Sequence, residues 1–449
     1  MPASTSNGLL PVGSSLSFAG LEQPLRILRA LGGGTQGQVY AVASGPEELA
    51  LKWYLPSCIA RDPRLRQRLQ QSIRLGPPNG DFLWPMALLE PSEQSRPLIR
   101  AQEPGFGYLM PLRPAGYQGA HLHAGGRLEI SLQNVLRACF FLADAFHELH
   151  LKGLCYKDIS LGNLFLRSSD GSILICDNDN VEVDGQNTGA SAGSVLGTPG
   201  FMAPEVLLGA SKPSASSDQF SLAVLLFRLL TRHDPFRGRM ELSIRCLDEP
   251  ARRRLYGEDA LFIFDPADPR NRPDPEEHPA ALLTWPIYPA ALQGLFVQCF
   301  GAGLREPPLR PLTGQWKQVL SRCLDQRHTC MHCGEELFHD GPCWSCGQTN
   351  PPPLQLQLPH GRVAASAGNQ LHRHHFDPHL GETLQQPIAS LVSHPSDASI
   401  LGLRNLSHSS WHGQLRNGQP ITVEPGKTCN IAALQQLNTE AGPITTLRG

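Results

Sequence analysis

The stretch Tyr156-Lys157-Asp158-Ile159-Ser160-Leu161-Gly162-Asn163, followed fourteen residues after Asn163 by Asp177, decides how this chain is read. Asp158 and Asn163 stand in the spacing D-x-x-x-x-N, which sets a carboxylate able to accept a hydroxyl proton beside an amide able to ligate a metal. Asp177 closes the apolar run Ile173-Leu174-Ile175-Cys176, and a carboxylate at a strand end is well placed to hold magnesium against ATP phosphates. Singly, each is also an ordinary turn former. Their order and spacing point to phosphoryl transfer.

Working outward, Leu31-Gly32-Gly33-Gly34-Thr35-Gln36-Gly37-Gln38-Val39 fits G-x-G-x-x-G-x-V between two predicted strands, with Gly32, Gly34 and Gly37 at the glycine positions. Glycine lets backbone approach phosphates closely because no Cβ intervenes. Alone, such a stretch reads equally as a Gly-rich hairpin. It sharpens with Ala50-Leu51-Lys52 on the next predicted strand, where Lys52 can direct its ammonium towards nucleotide phosphates. A lone strand lysine is otherwise a solvated face.

In this order the motifs resemble the protein kinase superfamily over about Leu25 to Leu324. Gly197-Thr198-Pro199-Gly200-Phe201-Met202-Ala203-Pro204-Glu205 is similar to the substrate-proximal segment ending in A-P-E, and Asp218-Gln219-Phe220-Ser221-Leu222-Ala223 to the start of the buried helix that anchors the catalytic loop. His233-Asp234-Pro235-Phe236 resembles the element after that helix, and Arg310-Pro311 the late Arg expected to pair with Glu205. The resemblance implies an α+β, bilobal protein kinase-like fold using ATP and Mg2+. Asp158, Lys52 and Asn163 would be catalytic, and Asn163 and Asp177 would be magnesium ligands. Gly32, Gly34, Gly37, Val39, Ala50, Lys52, Met110 and Asp177 would surround the nucleotide. The implied activity is transfer of the γ-phosphate of ATP to Ser/Thr of protein substrates, with Gly197-Thr198-Pro199 leaning towards Ser/Thr over Tyr. The phrases Leu51-Lys52-Trp53-Tyr54, Phe82-Leu83-Trp84-Pro85 and Gly107-Tyr108-Leu109-Met110-Pro111 are similar to divergent bacterial eukaryotic-like kinases of tellurite-resistance-like stress systems. That similarity implies a von Willebrand-A protein and a PPM-type phosphatase as partners.

The pattern is broken in places. No Glu lies between Glu48 and Glu90, so the helix glutamate that usually pairs with the strand lysine is missing, and Gln70 or Gln71 is expected near its place. Ser160 stands for a catalytic-loop Lys, Tyr156 for a His, and Asp177-Asn178-Asp179 for D-F-G. These departures keep a second reading open, a pseudokinase scaffold acting by protein interaction. The segment between Asp177 and Glu205 is expected to be regulatory. It contains Thr188, Ser191, Ser194 and Thr198; Ser194 is preferred as phosphate acceptor over Thr198, which would brace Asp158, and Lys157 would pair with the phosphate.

Cys330-Met331-His332-Cys333 and Cys343-Trp344-Ser345-Cys346 form CxxC…CxxC, each pair followed by glycine, Gly334 or Gly347. Four thiolates suit a closed, structural zinc ribbon; redox-active pairs or two disulfides are the other readings. Glu335, Glu336 and Asp340 make this module acidic, which argues against nucleic-acid binding. The predicted organisation is a flexible N-terminus over 1–20, a kinase domain over 21–325, the ribbon over 327–348, a linker over 349–386 and a small all-β domain over 387–449. The run His372-Arg373-His374-His375 reads as solvated linker, and His328 as exposed.

Composition agrees with a globular protein: 41% hydrophobic residues, a net charge of −2 and 12 cysteines, scattered except for this cluster. The charge gives no support for general nucleic-acid or anionic-membrane binding. The Ser- and Gly-rich start does not read as a signal peptide, and the most apolar stretch, Phe220 to Leu230, is too short to span a bilayer. A cytoplasmic protein with reduced cysteines is expected.

Overall fold

Apolar runs broken by Gly-rich turns pair into the first sheet. The computed structural model describes residues 8–99, 105–185, 197–338 and 341–447. In it β1 (Ser15–Leu16), β2 (Leu25–Gly33), β3 (Gly37–Ser44), β4 (Glu47–Tyr54), β5 (Ala87–Leu89) and β6 (Gly107–Pro111) form an antiparallel sheet in the order β1-β2-β3-β4-β6-β5. Ile27, Tyr40, Leu51 and Trp53 bury one face of it. Residues 8–20 do not behave as the predicted flexible tail. Ser15 and Leu16 pair with Arg26 and Leu25, and Leu10, Leu16 and Phe18 are buried on that same face. The few apolar residues among the serines and glycines outweigh the bland composition around them.

The opposite face carries Ala50, Tyr54, Tyr108 and Met110 and receives Leu65 and Leu69 of helix α1 (Leu65–Leu75). A short helix, Pro56–Arg61, precedes α1.

The second body is helical. Ser131 accepts the N–H of Asn134 and so caps α2 (Leu132–Leu151), and Ser214 with Ser217 forms a capping box for α3 (Ala215–Thr231). Helix α3 is buried nearly all round. With α4 (Ala290–Phe300) and α5 (Thr313–Gln326) it encloses a core of Phe146, Phe220, Phe227, Phe296, Phe300 and Trp316. The Pro-rich stretch 251–289 holds short helical turns, among them Pro279–Thr284. On the side facing the first sheet, β7 (Leu164–Arg167) and β8 (Ile173–Ile175) form a hairpin, and Ile175 bridges to Phe82.

Beyond α5, two small hairpins, His328–Thr329 with Glu336–Leu337 and Gly341–Pro342 with Thr349–Asn350, carry the cysteines. Of the residues expected to be a linker over 349–386, Thr349–Asn350 belong to the second cysteine hairpin and three later strands belong to the β domain. Gln355–Leu358 and Gly361–Ala364 are strands of its six-stranded sheet, and Gln370–Leu371 is the edge of its four-stranded sheet. Leu356, Leu358, Val363 and Leu371 are buried with Trp411, Leu434 and Ile444.

The histidine run is likewise no solvated linker. His372 and His375 are buried, His375 pairs with Asp325 at 3.1 Å, and His374 meets Ser321 at 3.2 Å, which ties the β domain to α5. His328 is buried as well. No helix of the described residues is long and apolar enough to cross a membrane.

Candidate functional site

Between the first sheet and the helical body lies a cleft of about 610 Å³. That is the size range of small-molecule sites, roughly 300–1,000 Å³. Its walls include Gly32, Gly34, Gly37, Val39, Ala50, Lys52, Met110, Asp158 and Asp177, with Leu83, Leu112 and Phe165 adding apolar surface. A Cβ at Gly32 or Gly34 would meet nothing within 4 Å, so this part of the loop faces open space. Gly37 is needed for a different reason, because a Cβ there would come within 2.3 Å of the Trp53 carbonyl on β4.

Lys52 is 5% exposed, and its Nζ donates to Gln36 Oε1 at 2.9 Å, Asp177 Oδ1 at 2.5 Å and Asp179 Oδ2 at 2.8 Å. Burial works against the charge on Lys52, but Asp179 and Asp177 outweigh it and hold the ammonium above its usual range. Gln70 and Gln71, expected to face this lysine, have no part in its bonding. From α1 it is Arg68 that reaches this network: its Nε donates to the Asp179 carbonyl at 2.7 Å and its Nη2 donates to Asp62 at 2.8 Å. Asn178, standing where a Phe was missed, is buried and donates to the carbonyls of Leu83 at 2.8 Å and Ile175 at 3.1 Å.

Asp158 lies on the helical side of the cleft. Its Oδ1 accepts from Thr198 Oγ1 at 2.5 Å, and its Oδ2 accepts from Asn163 Nδ2 at 3.2 Å. The same Asn163 amide donates to the Asp158 carbonyl at 2.9 Å, which fixes the turn. Asp218 at the start of α3 accepts the backbone N–H groups of Tyr156 at 2.6 Å and Lys157 at 2.9 Å. Two of the four non-glycine residues with positive φ among the described residues are Lys157 (72°) and Asp177 (59°). Such backbone persists where surroundings over-determine it, and it clusters at functional sites.

Lys157, expected to await a loop phosphate, is already paired with Glu182, which also accepts from Arg68 at 3.3 Å. Thr188, Ser191 and Ser194 lie outside the described residues. Sequence reasoning missed Asp179, Arg68 and Glu182. The only local signal was an acidic residue two positions after Asp177.

The four cysteine sulfurs lie within 4.8 Å of one another, with Cys330 to Cys346 at 3.8 Å and Cys333 to Cys343 at 3.7 Å. The two knuckles have matching backbones: Gly334 N–H donates to the Cys330 carbonyl at 2.9 Å, and Gly347 N–H to the Cys343 carbonyl at 2.8 Å. Zn–S bonds of about 2.3 Å make a tetrahedron with edges of about 3.8 Å, whereas a disulfide needs about 2.05 Å. The donor set therefore fits zinc, and all four cysteines are free of disulfides.

A cleft with a glycine-lined roof and a buried lysine on the first sheet, faced by the Asp158 and Asp177 carboxylates of the helical body, defines a protein-kinase-like site. Residues 122–279 match the family model described as "Protein kinase domain", so the chain carries a protein kinase domain. Protein kinase C delta type of Mus musculus is 36% identical over 125 residues, 26% of this chain and 17% of the relative. A protein kinase C-like protein of Neurospora crassa is 34% identical over 137 residues, 28% of this chain and 12% of the relative. Protein kinase C delta type of Homo sapiens is 34% identical over 125 residues. The chain spans under a fifth of the length of these relatives, at 12–17%.

Proposed function

We propose that the chain is an ATP-dependent protein serine/threonine kinase. The observation that carries this reading is the convergence of Lys52, Asp177 and Asp158 on one cleft beneath the Gly32–Gly34 roof, with Asn163 bonded behind Asp158. Lys52 would contact the ATP phosphates, and Val39, Ala50 and Met110 would enclose the base. Asn163 and Asp177 would hold magnesium, which when bound neutralises charge on the transferring phosphate. Asp158 would accept the proton of the incoming hydroxyl, its carboxylate aimed by Thr198 and Asn163. Names of the relatives, all protein kinase C types, support Ser/Thr over Tyr.

The test is radiolabelled phosphate incorporation by the purified full chain from Mg-ATP, into itself, generic Ser/Thr substrates, and the von Willebrand-A and PPM-type proteins that the sequence resemblance suggests. Phosphoserine or phosphothreonine in the product supports the reading. Mg-ATP binding with no transfer to any of them would favour the scaffold.

Cys330, Cys333, Cys343 and Cys346 would hold a structural zinc. The segment they span is too small for an apolar core of its own, so metal binding and local folding are coupled. Elemental analysis of protein purified under reducing conditions is expected to give one zinc per chain. Cys343→Ser is expected to release the metal and expose residues near 327–348 to protease while leaving ATP affinity unchanged. A metal-free protein with an intact, protease-resistant ribbon would dismiss the site.

A further inference from the structure

We infer that Asp179 is a positioning residue for the proposed phosphoryl transfer, its buried carboxylate doing for Lys52 what a helix carboxylate would otherwise do. The inference rests on reading the cleft as a kinase site. Two carboxylates bond Lys52, and they differ in setting. The Asp177 side chain is 32% exposed and lines the cleft, whereas that of Asp179 is 1% exposed and does not. A metal or phosphate entering the cleft competes for Asp177 and leaves Asp179 with the lysine.

The Asp179 anchor is itself fixed. Its Oδ2 accepts from the Tyr54 hydroxyl as well as from Lys52 at 2.8 Å. Tyr54 and Lys52 are two apart on β4 and so project from the same face. The Asp179 backbone carbonyl accepts Arg68 Nε, and the Arg68 guanidinium continues to Glu182 and Asp62. Helix α1 thus supplies a cation and the segment after Asp177 supplies the anion, the reverse of a helix glutamate facing a lysine. Stability alone gives little reason for the arrangement. Buried ion pairs gain little over apolar packing of equal volume, and Asp179 Oδ1 has no hydrogen-bond partner among the described residues.

The experiment compares the full chain with Asp179→Asn and with Leu69→Ala, which loosens the fully buried packing of α1 without touching Lys52. The first readout is acylation of Lys52 by a small amine-reactive reagent, followed by mass spectrometry and referred to the exposed Lys427. It is expected to rise several-fold in Asp179→Asn and to stay near the unaltered chain's value in Leu69→Ala. The second readout is turnover against magnesium concentration. Asp179→Asn is expected to lose on the order of tenfold to 100-fold in kcat, because small misplacements at a reacting centre carry penalties of that size. Its half-saturating magnesium is expected to rise several-fold, because Lys52 left with Asp177 competes for the metal's carboxylate. Leu69→Ala should keep the original magnesium requirement.

Equal Lys52 acylation in the unaltered chain and Asp179→Asn would overturn the inference. A rise in acylation in a protein whose unaltered form transfers no phosphate would keep Asp179 as the anchor of Lys52 and discard the kinase reading instead. If Asp179→Asn does not fold, Tyr54→Phe, which removes one bond to the same oxygen, is expected to raise Lys52 acylation, and no rise there would likewise overturn the inference.

Discussion

Asp158→Asn is expected to lower kcat by about 10²–10⁴-fold, the usual worth of a positioned general base, while leaving Mg-ATP affinity near its original value. The amide has the volume of the carboxylate but neither its charge nor its basicity. It also disturbs the two bonds that aim the group: Thr198 Oγ1 donates to Oδ1 at 2.5 Å, and Asn163 Nδ2 donates to Oδ2 at 3.2 Å. With its NH2 turned to Thr198 the new amide keeps its oxygen for Asn163, and the Thr198 hydroxyl must then accept where it donated. Because the base acts on the incoming hydroxyl in the transition state, kcat and kcat/KM should fall together. Under the proposed function, nucleotide affinity would be set elsewhere, by Lys52, Asp177 and the glycine roof. Single-turnover assays with titration of a fluorescent ATP analogue separate the two effects. Retention of more than about a tenth of the turnover would remove Asp158 from the role of base, given the size such a base contributes.

The contrast between Asp158 and Asp179 shows what a sequence can reveal of such a site. Asp158, Asn163, Asp177, Lys52 and the cysteine pairs each belong to a short motif in which spacing and residue type are dictated by one local task, so they can be read without a structure. The Lys52–Asp179 contact joins residues 127 positions apart, and nothing local requires it. Which residue of α1 reaches the Lys52–Asp179 network was misread for a related reason. With 3.6 residues per turn, a shift of two positions turns a side chain by about 200° and exchanges Gln70 for Arg68. In the β domain the signal was present but masked by composition. Leu354-Gln355-Leu356-Gln357-Leu358 alternates in the period of a half-buried strand, and Leu356 and Leu358 are buried, yet the neighbouring Pro and His runs suggested a linker. The expected Glu205–Arg310 pair was legible because the residues flanking each partner mark it.

That pair carries the largest stability effect expected in the helical body. The Arg310 side chain is fully buried and makes a bidentate contact, Nη1 to Glu205 Oε1 and Nη2 to Oε2, both at 2.7 Å. Nη1 also donates to the Ser216 carbonyl at 3.0 Å, and Nε to the Gly303 carbonyl at 2.9 Å. One guanidinium therefore joins the segment that carries Thr198 and Glu205, the first turn of α3 and the turn before α5. Arg310→Ala leaves a carboxylate and two carbonyls without their donor, and breaking a buried pair in this way costs about 3–5 kcal/mol. That is a large share of the roughly 5–15 kcal/mol holding a typical domain together. Arg310→Lys should recover little, since one ammonium cannot reproduce the planar fork. Glu205→Gln keeps one acceptor for the fork but leaves Arg310, 0% exposed, as an unpaired buried cation, so its cost should approach that of Arg310→Ala. Urea unfolding followed through tryptophan fluorescence checks this order. Turnover measured well below the unfolding midpoint should also fall in Arg310→Ala, because Thr198 aims Asp158 from the segment that Arg310 anchors. An Arg310→Ala protein within about 1 kcal/mol of the unaltered chain would show that the pair behaves like a surface salt bridge despite its burial.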